Sequence, residues 1–292
     1  MKVIVTGSLG NIGKPLVKEL VQKGHTVTVI SSKPEKQKDI ETLGVEAAIG
    51  SLEDVDFLVS TFTGADAVFA MVPPNYTVPD MRAYYRRLGS NYAQAIERSG
   101  VGRVVHLSSY GAHLDHGTGF ILGAHDVENI LNELPDVAIT HLRPTYFYYN
   151  LSSFVDMIKE AGFIGSNYGG EDKIVMVDPR DIAAAAAEEL ETPATGRTVR
   201  YVASDEHTAD EIARILGAAI GKPDLKWVTF TDEQTQKAME EKGMPPHIAA
   251  GLVEMFAAIH SGALREDYDL HKPTAMGKVK LEDFAKEFAA AF

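Results

Sequence analysis

Thr6-Gly7-Ser8-Leu9-Gly10-Asn11-Ile12-Gly13 follows the apolar run Val3-Ile4-Val5 and opens a segment with Ile12, Leu16 and Leu20 on one helical face. Its glycines recur as G-x-x-G-x-x-G, a relative of the commoner G-x-G-x-x-G fingerprint. Between a strand and a helix, each glycine has its own task. Gly7 lets the chain turn sharply, Gly10 leaves room for a pyrophosphate, and Gly13 lets the helix pack on the sheet. The unpaired N–H groups at the helix start then face the phosphates. An isolated glycine triplet reads equally well as a turn with no ligand. Here the strand–turn–helix context favours a dinucleotide site, with contacts expected from Gly7, Leu9, Gly10, Asn11 and Ile12. Pro15 is compatible only with the first helical turn.

Outward from that turn the pattern repeats. Strands are predicted at 2–6, 25–31, 45–49, 67–72, 103–108 and 138–142, and helices at 11–23, 36–43, 57–62, 80–99 and 120–134. This alternation specifies an α/β fold, a Rossmann-type parallel sheet with helices on both faces. Residues 174–177 and 198–203 read as late strands returning to that sheet. A smaller, mainly helical region is expected from 151–172 and 206–292, with 209–219 and 247–261 as its clearest helices. Residues 1–150 and 173–205 form the dinucleotide-binding domain in this reading, and a crevice is expected above the carboxyl ends of the strands.

Cofactor choice is read at the end of the second strand. An NAD site usually places a carboxylate there for the ribose. This chain has Ser31-Ser32-Lys33-Pro34-Glu35, with no carboxylate before Glu35. Ser31 and Ser32 can donate to a 2'-phosphate and Lys33 can pair with its charge, so NADP(H) is the expected cofactor. A solvated loop with ordinary lysines is the plainer alternative.

Composition narrows the classes. The net charge of -13 argues against a polyanion partner, so no nucleic acid is expected. Arg82, Arg86 and Arg87 lie on a helix with a solvated face. No apolar run approaches a membrane span, so no membrane insertion is expected. The N-terminus shows no export signal and cysteine is absent, which fits the cytoplasm. Two histidines and a carboxylate at His113, Asp115 and His116 can bind zinc, but tight spacing alone does not place them tetrahedrally and no cysteine helps, so no metal is expected. Ser108 and Ser109 have no evident triad partners, which disfavours serine hydrolysis. A homodimer is the general expectation for such a protein, although no segment identifies an interface.

The reaction face should gather Met71-Val72-Pro73-Pro74-Asn75, Leu107-Ser108-Ser109-Tyr110-Gly111, His125, and the stretch from Leu142 to Asn150. The chain resembles the NmrA-like branch of atypical short-chain dehydrogenases/reductases. The resemblance rests on the glycine turn, Gly64-Ala65-Asp66-Ala67-Val68-Phe69, Leu107-Ser108-Ser109, Leu142-Arg143-Pro144, Phe147 to Asn150, and Val177-Asp178-Pro179-Arg180-Asp181-Ile182-Ala183. It covers most of residues 1–205. The family spans NADPH-dependent quinone and dye reductases and cofactor-sensing regulators.

Against the standard Tyr-x-x-x-Lys pair, the resemblance puts Ile121 in the tyrosine place and His125 in the lysine place. Isoleucine cannot donate a proton, which disfavours conventional alcohol dehydrogenase chemistry. His125 is read as a contact to ribose or substrate, with Glu128 at i+3 to orient it. Arg143 is read as supporting its loop through a buried ion pair. Asp178 and Asp181 are read as fixing a loop and capping a helix. Val72, Pro73, Ser108, Tyr146 and Phe147 are expected beside the cofactor, and His125, Tyr110 and Tyr146 as residues that stabilise charge. The resulting reading is an NADPH-dependent oxidoreductase that passes hydride to a quinone-like or other small conjugated electrophile. A regulator that senses NADP(H) with little turnover is the alternative.

Overall fold

The computed structural model describes residues 1–292. Its first strands are β1 (Lys2–Val5), β2 (Thr26–Ser31), β3 (Glu46–Ile49), β4 (Ala67–Met71), β5 (Arg103–Leu107) and β6 (Ala138–Pro144). They are followed by β7 (Tyr146–Phe147), β8 (Ile164–Ser166), β9 (Lys173–Val177), β10 (Arg197–Val202), β11 (Asp205–Thr208) and β12 (Trp227–Thr229). Seven strands form the main sheet in the order β10-β6-β5-β4-β1-β2-β3. Neighbours from β3 through β6 pair in parallel. The winding direction reverses between β1 and β4, the position at which doubly wound sheets hold their ligands.

The first helices are α1 (Gly13–Gln22), α2 (Gln37–Glu41), α3 (Val55–Phe62), α4 (Met81–Ser99) and α5 (Ile121–Asn132). Ile4, Val68, Val104 and Ile139 of the sheet share one core with Leu88, Tyr92, Val127 and Leu131 of α4 and α5. The strands are apolar on both faces because both faces are covered. Asp54 and Asp80 cap α3 and α4 by accepting from the N–H groups of Phe57 and Ala83. Each such cap stabilises by about 1 kcal/mol. Arg82 and Arg86 on α4 both pair with Asp126 of α5, and Arg87 pairs with Glu53.

The chain forms two compact units. The first comprises residues 1–109, 123–143 and 182–200; the second comprises 110–122, 144–181 and 201–292. The second unit therefore takes in 110–122, 144–150, 173–181 and 201–205 in addition to 151–172 and 206–292. One expected strand goes elsewhere. β10 joins the edge of the main sheet, but β9 does not return to it. β9 pairs antiparallel with β11 and parallel with the short β7, in a separate three-stranded sheet. β12 pairs with β8.

By length and composition alone, Pro246–Leu270 could cross a membrane. It is not one helix, however. It breaks after His260, Gly262 has φ +80°, and a new helix starts at Arg265. The unbroken Pro246–His260 segment of 15 residues is about 22 Å long, well short of the ~30 Å hydrocarbon core.

The main sheet also buries a histidine pair. His106 of β5 and His141 of β6 are aligned neighbours with Nδ1 atoms 3.0 Å apart. His141 Nε2 is 3.0 Å from Asn132 Oδ1. Since that oxygen can only accept, His141 carries its proton on Nε2, and His106 donates to His141 Nδ1. Burial and then the partner imidazole hold His106 well below the usual value of 6.5. Burial is also the main cause of the lowered value at His141; Glu128 opposes it, and Arg143 and Arg197 add to it. Both groups are neutral in the fold and protonate more readily when it opens. Stability is therefore full above about pH 6.5 and is expected to fall as pH drops toward the folded-state values, by up to ~1.4 kcal/mol per pH unit per histidine. Urea unfolding from pH 7.5 to 5 should show this slope, and His106→Asn should flatten it. An equal slope in that variant would refute the assignment.

Candidate functional site

The glycine turn leaves β1 through two left-handed residues, Gly7 at φ +86° and Ser8 at φ +59°. A left-handed serine is uncommon and is held by its surroundings. Its N–H donates to Ile30 O, and its hydroxyl donates to Ser31 Oγ. Gly13 opens α1 and Pro15 lies in the first turn, where its missing N–H costs nothing.

The three glycines differ in what they must accommodate. A Cβ on Gly7 would lie 2.3 Å from Met71 Sδ, and one on Gly13 would lie 2.1 Å from Ser8 O. The protein itself excludes side chains at both positions. A Cβ on Gly10 would meet only Gly7 O, at an ordinary 3.7 Å. Gly10 is exposed and its φ is not left-handed. No packing neighbour in the protein demands glycine there, and the space beside its backbone is open to a ligand. Leu9 is half-buried, Asn11 exposed and Ile12 buried, so Ile12 can offer such a ligand its backbone only.

At the end of β2, Ser31 is 3% exposed and its hydroxyl accepts from Ser8 Oγ and Lys33 N. It braces the turn and is too buried to donate to a phosphate as expected. Ser32 and Lys33 are exposed at the same strand end. At the end of β4, Val72 is a core residue and Pro73 is half-buried.

The ends of β5 and β6 are joined by a buried network. Arg143 Nε and Nη2 donate to Glu128 Oε1 and Oε2 at 2.9 and 2.6 Å, with both side chains less than a tenth exposed. Ser108 Oγ donates to Glu128 Oε1 at 2.5 Å. The buried ion pair expected for Arg143 is therefore made with Glu128. Glu128, expected to orient His125, has both carboxylate oxygens engaged by Arg143 and Ser108. It shares the buried face of α5 with Ala124, Val127 and Leu131, and that position was its readable signal. His125 Nε2 is instead 2.9 Å from the side-chain nitrogen of Asn129, one turn on at i+4. The Ser108 hydroxyl proton is committed to Glu128 and its N–H to Leu142 O, while the hydroxyl oxygen can still accept.

Tyr110 belongs to the second unit. It is buried edge-on against Tyr268, which also packs against Tyr201. Burial pushes its phenol well above the usual range. In the aromatic run, Tyr146 is half-buried and its oxygen accepts from Tyr168 Oη at 3.2 Å. Burial pushes Tyr146 up to about 12, opposed by that hydrogen bond. It is thus a neutral phenol at pH 7, and its own proton remains to be donated. Phe147 stacks on Tyr149, while Tyr148 is fully buried against Phe284. Tyr168 was missed from sequence.

Asp178 accepts from Arg180 N and from the Arg180 side chain, capping the helix Pro179–Glu191. Asp181 accepts from Ser204 Oγ and the backbone of Lys278 and Val279, fixing that loop. His116 pairs with Asp115 on the surface.

Residues 1–287 match the model of the NmrA-like family. An NAD(P)H azoreductase of Xenophilus azovorans is 28% identical over 99% of both chains. A triphenylmethane reductase of a Citrobacter species superposes with a TM-score of 0.84 at 20% identity, covering 99% of this chain and all of that one. An NADPH-dependent quinone oxidoreductase of Escherichia coli, solved with NADPH, gives 0.83 at 20% identity over 98% of this chain and 99% of its own. At these identities the structural likenesses speak to the fold.

Proposed function

The chain belongs to the NmrA-like family, and from that premise we propose that it is an NADPH-dependent oxidoreductase acting on a quinone-like or other flat conjugated electrophile. The observation that carries the reading is Gly10, whose missing side chain serves no packing need of the protein. The names of the relatives, reductases of azo compounds, triphenylmethane dyes and quinones, support the acceptor class.

When bound, NADPH supplies the hydride. The chain's part is to bind, orient and exclude water. In this reading Gly7, Leu9, Gly10, Asn11 and Ile12 hold the diphosphate, and Ser32 and Lys33 hold the 2'-phosphate. Val72, Pro73, Ser108 and His125 contribute to the cofactor site. Tyr146 and Phe147 are proposed beside the cofactor as well, with Tyr146 offering its phenolic proton to developing negative charge on the acceptor. His125, half-buried, is proposed for the same role, and so is Tyr110, whose ring is buried against Tyr268. The reduced acceptor can take its proton from solvent, so Ile121 in place of a tyrosine is no obstacle. We place the protein in the cytoplasm and expect a homodimer, which sedimentation would read.

NADPH should bind more tightly than NADH, and Lys33→Ala should weaken NADPH alone by about tenfold, or ~1.4 kcal/mol. Calorimetric titration of both cofactors measures this, and equal weakening of both would refute the Lys33 assignment. With C4-deuterated NADPH and a quinone, deuterium should leave the cofactor in stoichiometric step with acceptor reduction. Ile121 favours a second reading, a regulator sensing NADP(H). Tight NADPH binding with no turnover across quinones and dyes would decide for that one.

A further inference from the structure

Tyr92 is fully buried on α4, 86 residues from Thr6, yet it reaches the base of the glycine turn. Its Oη donates to Met71 O at 2.6 Å and lies 3.1 Å from Thr6 Oγ1. Met71 N–H donates to the same Thr6 Oγ1 at 2.9 Å. Thr6 Oγ1 also lies 3.4 Å from Met71 O. The carbonyl can only accept, each hydroxyl has one proton to give to it or to the other hydroxyl, and the three groups close a ring.

The ring lies where β1 and β4 end, on either side of the reversal in winding. Thr6 N–H donates to Phe69 O as the last backbone bond between these strands. Beyond it, side chains continue the connection. Met71 then reaches back with its Sδ into the space that a side chain on Gly7 would need. Tyr92 therefore fixes the Met71 backbone, and Met71 fixes Gly7 from the other side of the turn.

We propose that Tyr92, through Thr6 and Met71, is a positioning residue that sets the glycine turn at the height required by the cofactor diphosphate. This rests on the reading that the turn holds the cofactor. A buried hydroxyl in this position does more than fill the core. The ring alone, which stacks on Phe62 at 6.5 Å and 15°, would do that as phenylalanine.

Tyr92→Phe keeps the ring and removes the hydroxyl. It should fold, with a native circular dichroism spectrum, and bind both NADPH and NADH about five- to tenfold more weakly, as expected for one lost buried hydrogen bond. The equal factor separates it from Lys33→Ala, which acts on the 2'-phosphate. In steady state, KM for NADPH should rise, while kcat and the KM for a quinone stay within about twofold, since the loss is in uniform binding. Thr6→Val should give the same loss and Thr6→Ser should restore normal affinity. The two losses should not add in the Tyr92→Phe/Thr6→Val double variant, because both break one ring. The inference is overturned if Tyr92→Phe lowers the melting temperature while both dissociation constants stay at the wild-type value. It is also overturned if Thr6→Ser is as weak as Thr6→Val. A wild-type protein that binds neither cofactor would instead overturn the cofactor reading, and this inference with it.

Discussion

Replacing Glu128 with alanine is expected to destabilise the protein by roughly 3–5 kcal/mol, because it removes the carboxylate that pairs with the buried Arg143 charge. Arg143 is 7% exposed, and its ion pair with Glu128 uses both carboxylate oxygens. The same change takes away the acceptor of Ser108 Oγ. Glu128→Gln keeps an acceptor for Ser108 but removes the negative charge, so most of the loss should remain. A Glu128→Leu/Arg143→Met pair removes both charges and should recover much of the stability, since a buried ion pair is often replaced by apolar residues at little cost. Urea unfolding followed by circular dichroism would measure this as a shift in midpoint at unchanged slope. A loss below about 1 kcal/mol in Glu128→Ala would mean that water reaches Arg143, which is the typical value for exposed pairs.

Glu128 also marks how far the sequence could be read. Its helix was legible from periodicity, and so was its place one turn from His125. Its partners were not. Ser108, just past the end of β5, and Arg143 on β6 lie 20 and 15 residues away, and only the folded sheet makes these strands adjacent. The same limit explains β9. Ile174 to Val177 and the 198–203 segment look alike as short apolar runs, and such a run does not name the strand it pairs with. β9 is claimed by β11, which follows it as an antiparallel partner, whereas β10 meets the edge of the main sheet. Local signals fared better. Ala209–Ala219 matches the helix read there, and the capping box of Thr208 and Glu211 that starts it is a short-range pattern. The glycine turn was legible for the same reason. The sequence alone could not tell which of its glycines the protein needs for itself.

That distinction gives the sharpest expected result. Gly10→Ala should leave stability within about 0.5 kcal/mol of wild type. Its Cβ would meet nothing closer than Gly7 O at 3.7 Å, and its backbone is not left-handed. A small gain is even possible, since alanine restricts the unfolded chain. Affinity for NADPH should nevertheless fall by roughly a hundredfold, or ~2.7 kcal/mol, because the new methyl group occupies the space that the diphosphate needs. Gly13→Ala should behave differently. Its Cβ would lie 2.1 Å from Ser8 O, a backbone atom that cannot swing aside. Relief must come from moving the turn or the helix start, so stability should fall by roughly 1–3 kcal/mol along with affinity. Thermal unfolding and NADPH titration on the two variants separate the cases. A stable Gly10→Ala protein that binds NADPH like wild type would show that no phosphate approaches this backbone, and would remove the observation on which the proposed function rests.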